Sequence, residues 1–196
     1  MGRLRFAFIA MVSLVPCGCS APRPPFGQLE PAPRSDGRLP PGVPLVEAEV
    51  SCDPSVGAAR VSLKQRAHRH RHDPNCPADT RWYLPVCVRY GAGDETGRVC
   101  ALVPGGAAEL ELPVRRCPEW MHPNADDSGY YVWKLPEAEL LALVRHLGSL
   151  SPSEQDSLWF TLHALKASGD LDQSAHERLV AAMRTAYQPR VNWKVR

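Results

Sequence analysis

The chain has 196 residues, enough for one domain of ordinary size or one domain with a small appendage. A hydrophobic content of 44% is that of a globular protein, and a formal net charge of +2 gives no ground for a nucleic-acid partner. Proline is the outlier, with 20 residues, and points to linkers and edge strands rather than long uninterrupted helices.

Met1-Gly-Arg-Leu-Arg5 is basic, and Phe6–Pro16 is an apolar run too short to span a bilayer as a helix. Cys17-Gly18-Cys19-Ser20 follows. A short apolar region that ends at a cysteine resembles a bacterial lipoprotein signal, with Cys17 or Cys19 as the lipidated residue. Neither has the full pattern: Pro16 directly precedes Cys17 and lies three residues before Cys19. The alternative is an ordinary secretory signal cleaved near Ala21. Either way residues 1–19 read as an export leader. The product is expected outside the cytosol, touching the membrane only through a lipid anchor or lying free in the periplasm or medium.

Residues 20–42 read as a linker. Between positions 22 and 44 eight prolines alternate with Arg, Ser, Asp and Gly without periodicity, a composition that cannot bury enough apolar surface to fold alone. Strand-like segments come next. Val43–Val50 and Ala58–Gln65 alternate apolar and polar residues, as half-buried strands do. Ala67–Asp79 is polar and reads as a loop. Arg81–Tyr90 and Arg98–Val103 flank a glycine-rich turn and predict a hairpin, with Pro85 at an edge or bulge position. Glu109–Leu112 and Tyr130–Lys134 are two further short strands. The spacing of these segments predicts an antiparallel β-sandwich over residues 43–134.

Cys117–Trp133 is the hinge of the chain. A cluster of turn formers (Pro123, Asn124, Asp126, Asp127, Ser128, Gly129) leads into the aromatic and β-branched run Tyr130–Trp133. From Pro136 the period becomes helical. Pro136 is expected at the first helical position, with Leu140, Leu141, Val144 and Leu147 as the apolar stripe and Gly148 as the C-cap. Ser151 and Glu154 form a capping-box pattern for a second helix that buries Leu158, Leu162 and Leu165 with Trp159 and ends at Ser168-Gly169. Ser174 is expected to cap a third helix through Tyr187, with Leu179, Val180 and Met183 inside. The fold class is thus α+β, an antiparallel sandwich followed by a three-helix segment over residues 135–196.

Five cysteines follow the leader: Cys52, Cys76, Cys87, Cys100 and Cys117. A turn centred near Gly93–Asp94 sets Cys87 directly opposite Cys100, within disulfide reach of a cross-strand neighbour. Cys52 with Cys117 is the natural second pair, tying the first strand to the last hairpin. Cys76 is then left free or pairs between molecules. The alternative is that several are merely small buried residues.

His68-Arg-His70-Arg-His72, with Asp73 and Cys76 close behind, is the one cluster with metal-ligand chemistry, since alternate residues of an extended segment point the same way. It matches no closed zinc signature, and the interleaved arginines oppose a cation, so a solvated basic loop is the favoured reading. His176-Glu177-Arg-Leu-Val180 begins like the zinc-peptidase pattern His-Glu-x-x-His, but the second histidine position holds Val180, and one ligand cannot retain a catalytic metal. His122, Asp126 and Asp127 are accounted for by the turn. No catalytic residue, cofactor site or cofactor is expected.

Several short motifs occur in a fixed order: Gly42-Val-Pro-Leu-Val46, Leu63-Lys-Gln65-Arg66, Trp82-Tyr-Leu-Pro85-Val86 and Asn124-Ala-Asp-Asp-Ser-Gly129-Tyr130-Tyr131, then Leu150-Ser151, Glu154, Asp156, Ala164-Leu165 and Gly169. This series resembles the part of the M1 family of zinc aminopeptidases (gluzincins) that follows the catalytic domain, a small β-sandwich and the start of a helical domain. The resemblance covers about residues 42–170. It departs at Val132, where the family usually has Arg. The chain also lacks the whole catalytic domain, with neither Gly-x-Met-Glu-Asn nor His-Glu-x-x-His, so no catalytic or zinc-binding residue of the family carries over. The resemblance implies an exported, non-catalytic module with a structural or protein-binding role, its partner another protein chain. Two alternatives stand beside it: a component or remnant of an M1 metallo-aminopeptidase working with a separate catalytic chain, and a metal-binding lipoprotein using His68, His70, His72 and Cys76.

Overall fold

The structure, a computed structural model, describes residues 42–53, 58–68 and 80–186. Seven strands, β1 (Val43–Asp53), β2 (Ala58–His68), β3 (Tyr83–Ala92), β4 (Glu95–Pro104), β5 (Ala107–Leu112), β6 (Trp120–His122) and β7 (Val132–Lys134), precede three helices, α1 (Glu137–Arg145), α2 (Pro152–Ser168) and α3 (Gln173–Ala186). The strands form two sheets, one of order β5-β2-β1-β7 and one of order β4-β3-β6. The class is α+β.

Period-two alternation built the long strands. On β2 the side chains of Ala59, Val61, Leu63, Gln65 and Ala67 are buried while Arg60 and Lys64 are exposed. On β3 Leu84, Val86, Val88, Tyr90 and Ala92 face inward in the same way. The β3–β4 hairpin turns on Gly93–Asp94, with Ala92 opposite Glu95 and Cys87 opposite Cys100. Gly93 has φ +65°, a conformation that glycine adopts without penalty. Apolar residues of both sheets and all three helices form one continuous core.

Buried Gln65 joins the two sheets. Its Nε2 donates to the carbonyls of Trp82 (2.6 Å) and Val103 (3.1 Å), and its Oε1 accepts from the Trp82 N–H at 3.0 Å. The Gln65 backbone N–H donates to Gly106 O at 2.8 Å. One amide on β2 thereby fixes the entry to β3 and the exit from β4.

The strand arrangement differs from the all-antiparallel expectation at one edge. β7 pairs with β1 in parallel, Leu45 beside Val132 and Val46 beside Trp133. A parallel neighbour is delivered by a long crossover rather than a hairpin, and here the chain passes through both sheets before returning. A three-residue strand carries too little pattern to reveal its direction. β6 escapes the sequence for a related reason: Trp120, Met121 and His122 are all buried, so nothing alternates, and prolines at 118 and 123 bracket it like a turn.

The helices follow the expected stripes, with local corrections at their ends. Leu140, Leu143, Val144 and Leu147 are buried around α1, whereas Leu141 is half-buried. Pro136 is the residue before the first helical one, and α1 closes at His146, leaving Gly148 inside a 3₁₀ turn over Leu147–Ser149. On α2 the Ser151–Glu154 capping box is complete, and Gly169 at φ 84° ends the helix in the left-handed conformation. α3 is capped by Asp172 rather than Ser174. Asp172 Oδ1 accepts the Ala175 N–H at 2.8 Å, and Ser174 instead donates its hydroxyl to the same oxygen. Aspartate two residues earlier in the chain wins because its carboxylate reaches the open N–H group. Among the described residues no helix is long and apolar enough to cross a membrane.

Candidate functional site

The hinge segment folds into a hydrogen-bonded loop between β6 and β7. Asn124 Oδ1 accepts from Gly129 N at 2.8 Å, while its Nδ2 donates to Gly129 O at 3.0 Å and to Asp127 Oδ1 at 3.1 Å. Asp127 N donates to Asn124 O at 2.9 Å, and the Tyr131 hydroxyl donates to Pro123 O at 2.8 Å. Asp126 and Asp127 stand at φ 60° and 51°, left-handed values that aspartate tolerates better than most residues. Gly129 has no room for a side chain, because a Cβ there would strike the Tyr131 ring.

Glu154 anchors this loop to α2. Its side chain is fully buried; Oε1 accepts from Asp126 N at 2.8 Å and faces Arg89 Nε at 3.2 Å, and Oε2 accepts from Ser151 N at 2.8 Å. Burial alone would raise this carboxyl. The N–H groups of Asp126 and Ser151, with His122 and Arg89, outweigh it and hold the group below the ordinary carboxylate range.

Arg89 on β3 and Arg98 on β4 sit directly opposite each other, a like-charge pair that would weaken a hairpin. Asp126 resolves the conflict. Its carboxylate binds Arg89 Nη2 at 2.6 Å through one oxygen and Arg98 Nε at 3.3 Å through the other. A cleft of about 300 Å³ lies against this cluster, lined by Arg89, Thr96, Gly97, Arg98, Trp120 and Ser149. A shallower groove of about 530 Å³ runs along Val43 and residues 127–132.

His122 lies behind the cleft, fully buried, with Nδ1 accepting from Asn124 N at 3.3 Å and the ring edge-to-face with Trp133 at 4.8 Å. Burial lowers its pKa to about 4, against the opposing pull of Glu154 and Asp127. The imidazole is neutral at physiological pH, and its role is that of an acceptor in the loop. As read from the sequence, Asp126 and Asp127 belong to the turn, whereas His122 ends β6 and accepts from the loop at Asn124 N.

The cysteines pair as Cys52–Cys117 and Cys87–Cys100. The first bond ties β1 to the segment before β6, and the second crosses the β3–β4 hairpin. Two disulfides accord with an oxidising environment outside the cytosol. His68 ends β2, half-buried and opposite Val43. His70, His72, Cys76, Cys17 and Cys19 lie outside the described residues. His176 is buried on α3, with Val180 also buried one turn later, so the His-Glu start forms no metal pair along that helix. Among the described residues no group of three or more His, Cys, Asp or Glu side chains is placed to hold a metal ion.

Arg89, Arg98 and Trp120 went unremarked in the sequence. The facing arginines were nonetheless legible: setting Cys87 opposite Cys100 also sets Arg89 opposite Arg98. That Asp126 bridges them was not, because it arrives from a loop 28 residues further along from Arg98. Chemically the cleft offers two guanidinium groups already matched by Asp126 and Glu154, an indole and two hydroxyls. This is a polar cleft whose charges are paired within the protein.

Compared with known proteins, the chain matches no family model, and no curated protein is significantly similar to it.

Proposed function

We propose that this protein is an exported, non-catalytic module that resembles the β-sandwich and first helices of M1 aminopeptidases and acts through protein binding. The observation that carries the reading is where the residues of the colinear motifs are engaged. Gln65 holds Trp82 and Val103, Asn124 holds Gly129, Tyr131 holds Pro123, and Glu154 holds Ser151 and Asp126. Each of these bonds secures backbone. The resemblance is therefore one of architecture, a β-sandwich joined to a helical tail, and it rests on these motifs.

An exposed apolar ladder supports protein binding. On the outer face of the β3–β4 hairpin Tyr83 stands opposite Pro104 and Pro85 opposite Leu102, with Tyr83 48% and Leu102 43% exposed. Adjacent exposed apolar residues on an edge hairpin offer a partner apolar area to bury. The basic, apolar, cysteine-ended leader and the proline-rich linker support attachment through Cys17 or Cys19, and the two disulfides support export.

Two measurements test the proposal. The processed protein, supplied with zinc, is expected to release nothing from an aminoacyl-p-nitroanilide; zinc-dependent turnover overturns the non-catalytic reading. A photo-crosslinking residue placed at 83 or 102 in the exporting cell is expected to give a discrete protein adduct that the exposed control position Glu111 does not give. No adduct from either position, or the same adduct from all three, removes the protein-binding reading.

A further inference from the structure

His163 on α2 and His176 on α3 meet across the helix pair, with His163 Nδ1 3.2 Å from His176 Nε2. Neither residue lines the cleft or belongs to the motifs that carry the resemblance. Trp159, one turn before His163 on α2, packs edge-to-face on His163 at 4.7 Å. We propose that His163 and His176 form a two-histidine binding site for a late first-row divalent cation, holding copper(II) more tightly than zinc(II).

The distance between the two nitrogens is the first argument. Two imidazole nitrogens bound to one tetrahedral ion at roughly 2.0–2.1 Å each stand about 3.4 Å apart. The pair is within a few tenths of an ångström of that span, so an ion can replace the hydrogen bond with little movement. The second argument is the partners. Nδ1 of His176 is buried and has no hydrogen-bond partner, so the contact with His163 is the polar commitment of that ring, and an ion displaces no other bond of it. His163 is exposed, which leaves the remaining coordination positions open to water.

The scaffold is preorganised. The turn between the helices is held by Asp170 N and Leu171 N on Leu165 O, at 2.9 and 3.1 Å, and by the ion pair of Asp170 with Arg66 on β2. The charged surroundings set the chemistry. Burial, then Lys166 and Arg184, lower the pKa of His163; burial, then His163 and Lys166, lower that of His176, opposed by Glu177. The same cations that resist a proton also resist a metal ion, so the site is weaker than a closed zinc centre. They also keep both rings neutral, which is the ligating form. On binding, the ring protons sit on Nε2 of His163 and Nδ1 of His176, and none is released at neutral pH. Imidazole donors place copper(II) above zinc(II) in affinity.

The test uses the full chain carrying His70→Ala and His72→Ala, so that the histidine-rich segment does not compete. Copper(II) chloride is titrated while indole fluorescence is followed. Contact quenching of Trp159 is expected, and it disappears in Trp159→Phe. In His163→Gln the copper midpoint rises at least about tenfold. Because His163 is exposed, this variant keeps the fold. As an independent readout, saturating copper raises the melting temperature of the parent but not of His163→Gln. An unchanged midpoint in His163→Gln, or quenching undiminished in Trp159→Phe, overturns the proposal. So does a zinc affinity above that for copper.

Discussion

Gln65 and His122 are both buried polar side chains that are uncharged in the fold, and only the contribution of His122 depends on pH. Gln65 satisfies three backbone groups that would otherwise be stranded between the sheets. Gln65→Leu keeps the volume and removes those partners, so it is expected to cost about 1–3 kcal/mol, read as a lower urea midpoint with an unchanged slope. His122 is neutral when folded, with a pKa of about 4 against an ordinary 6.5. The unfolded chain therefore binds more protons between those values. The contribution of His122 is complete above about pH 6.5 and is lost as the pH falls toward 4, by about 3 kcal/mol in all. Denaturation followed from pH 7 to pH 4 is expected to show that decline as a narrowing stability difference between the parent and His122→Gln, a comparison in which other titrating groups cancel. Glu139 on α1 works the other way. Burial, reinforced by Glu49, raises its pKa to about 7 from an ordinary 4.5, so its contribution is complete in acid below about pH 4.5 and is lost as the pH rises from there to 7.

At the scale of elements, the start of α2 is the joint between sheet and helices. Ser151 and Glu154 cap the helix together, but only Glu154 also reaches the loop at Asp126 and Arg89 on β3. The two halves of one capping box therefore differ in consequence. Ser151→Ala is expected to cost about 1 kcal/mol, the usual loss of a cap. Glu154→Ala leaves Arg89 without its buried partner and Asp126 N–H open, and is expected to cost about 3–5 kcal/mol. Chemical denaturation measures the difference. Hydrogen exchange locates it, with Asp126 N–H losing protection in Glu154→Ala and keeping it in Ser151→Ala.

At the scale of the whole molecule, one continuous core unites strands and helices, and two covalent ties lie within the strand region. The ties close loops of unequal length, 65 residues for Cys52–Cys117 and 13 for Cys87–Cys100. On chain entropy the longer loop contributes about 4 kcal/mol and the shorter about 3 kcal/mol. Replacing the cysteines pairwise by serine is expected to lower the thermal midpoint more for positions 52 and 117 than for 87 and 100. Because the core is shared, a single unfolding transition is expected for the parent chain.

The amino-acid sequence by itself determined whatever depends on neighbours along the chain. The alternation of β2, the Gly93–Asp94 turn with its facing cysteines, the capping box and the left-handed stop at Gly169 are local, and period or turn chemistry reveals them. What only the tertiary structure decided depends on segments that meet from a distance. The parallel return of β7 to β1 is one such feature, and β6 hidden between prolines is another. The bridge of Asp126 across two arginines and the meeting of His163 with His176 complete that set. The hinge from Cys117 to Trp133 belongs to both. Its turn formers announce the loop, but only packing shows that the side chains of Asn124 and Tyr131 bind the backbone of Gly129 and Pro123 and that the loop closes on Glu154. A side chain's propensity acts on its own backbone; its partner is chosen by the route of the chain through space.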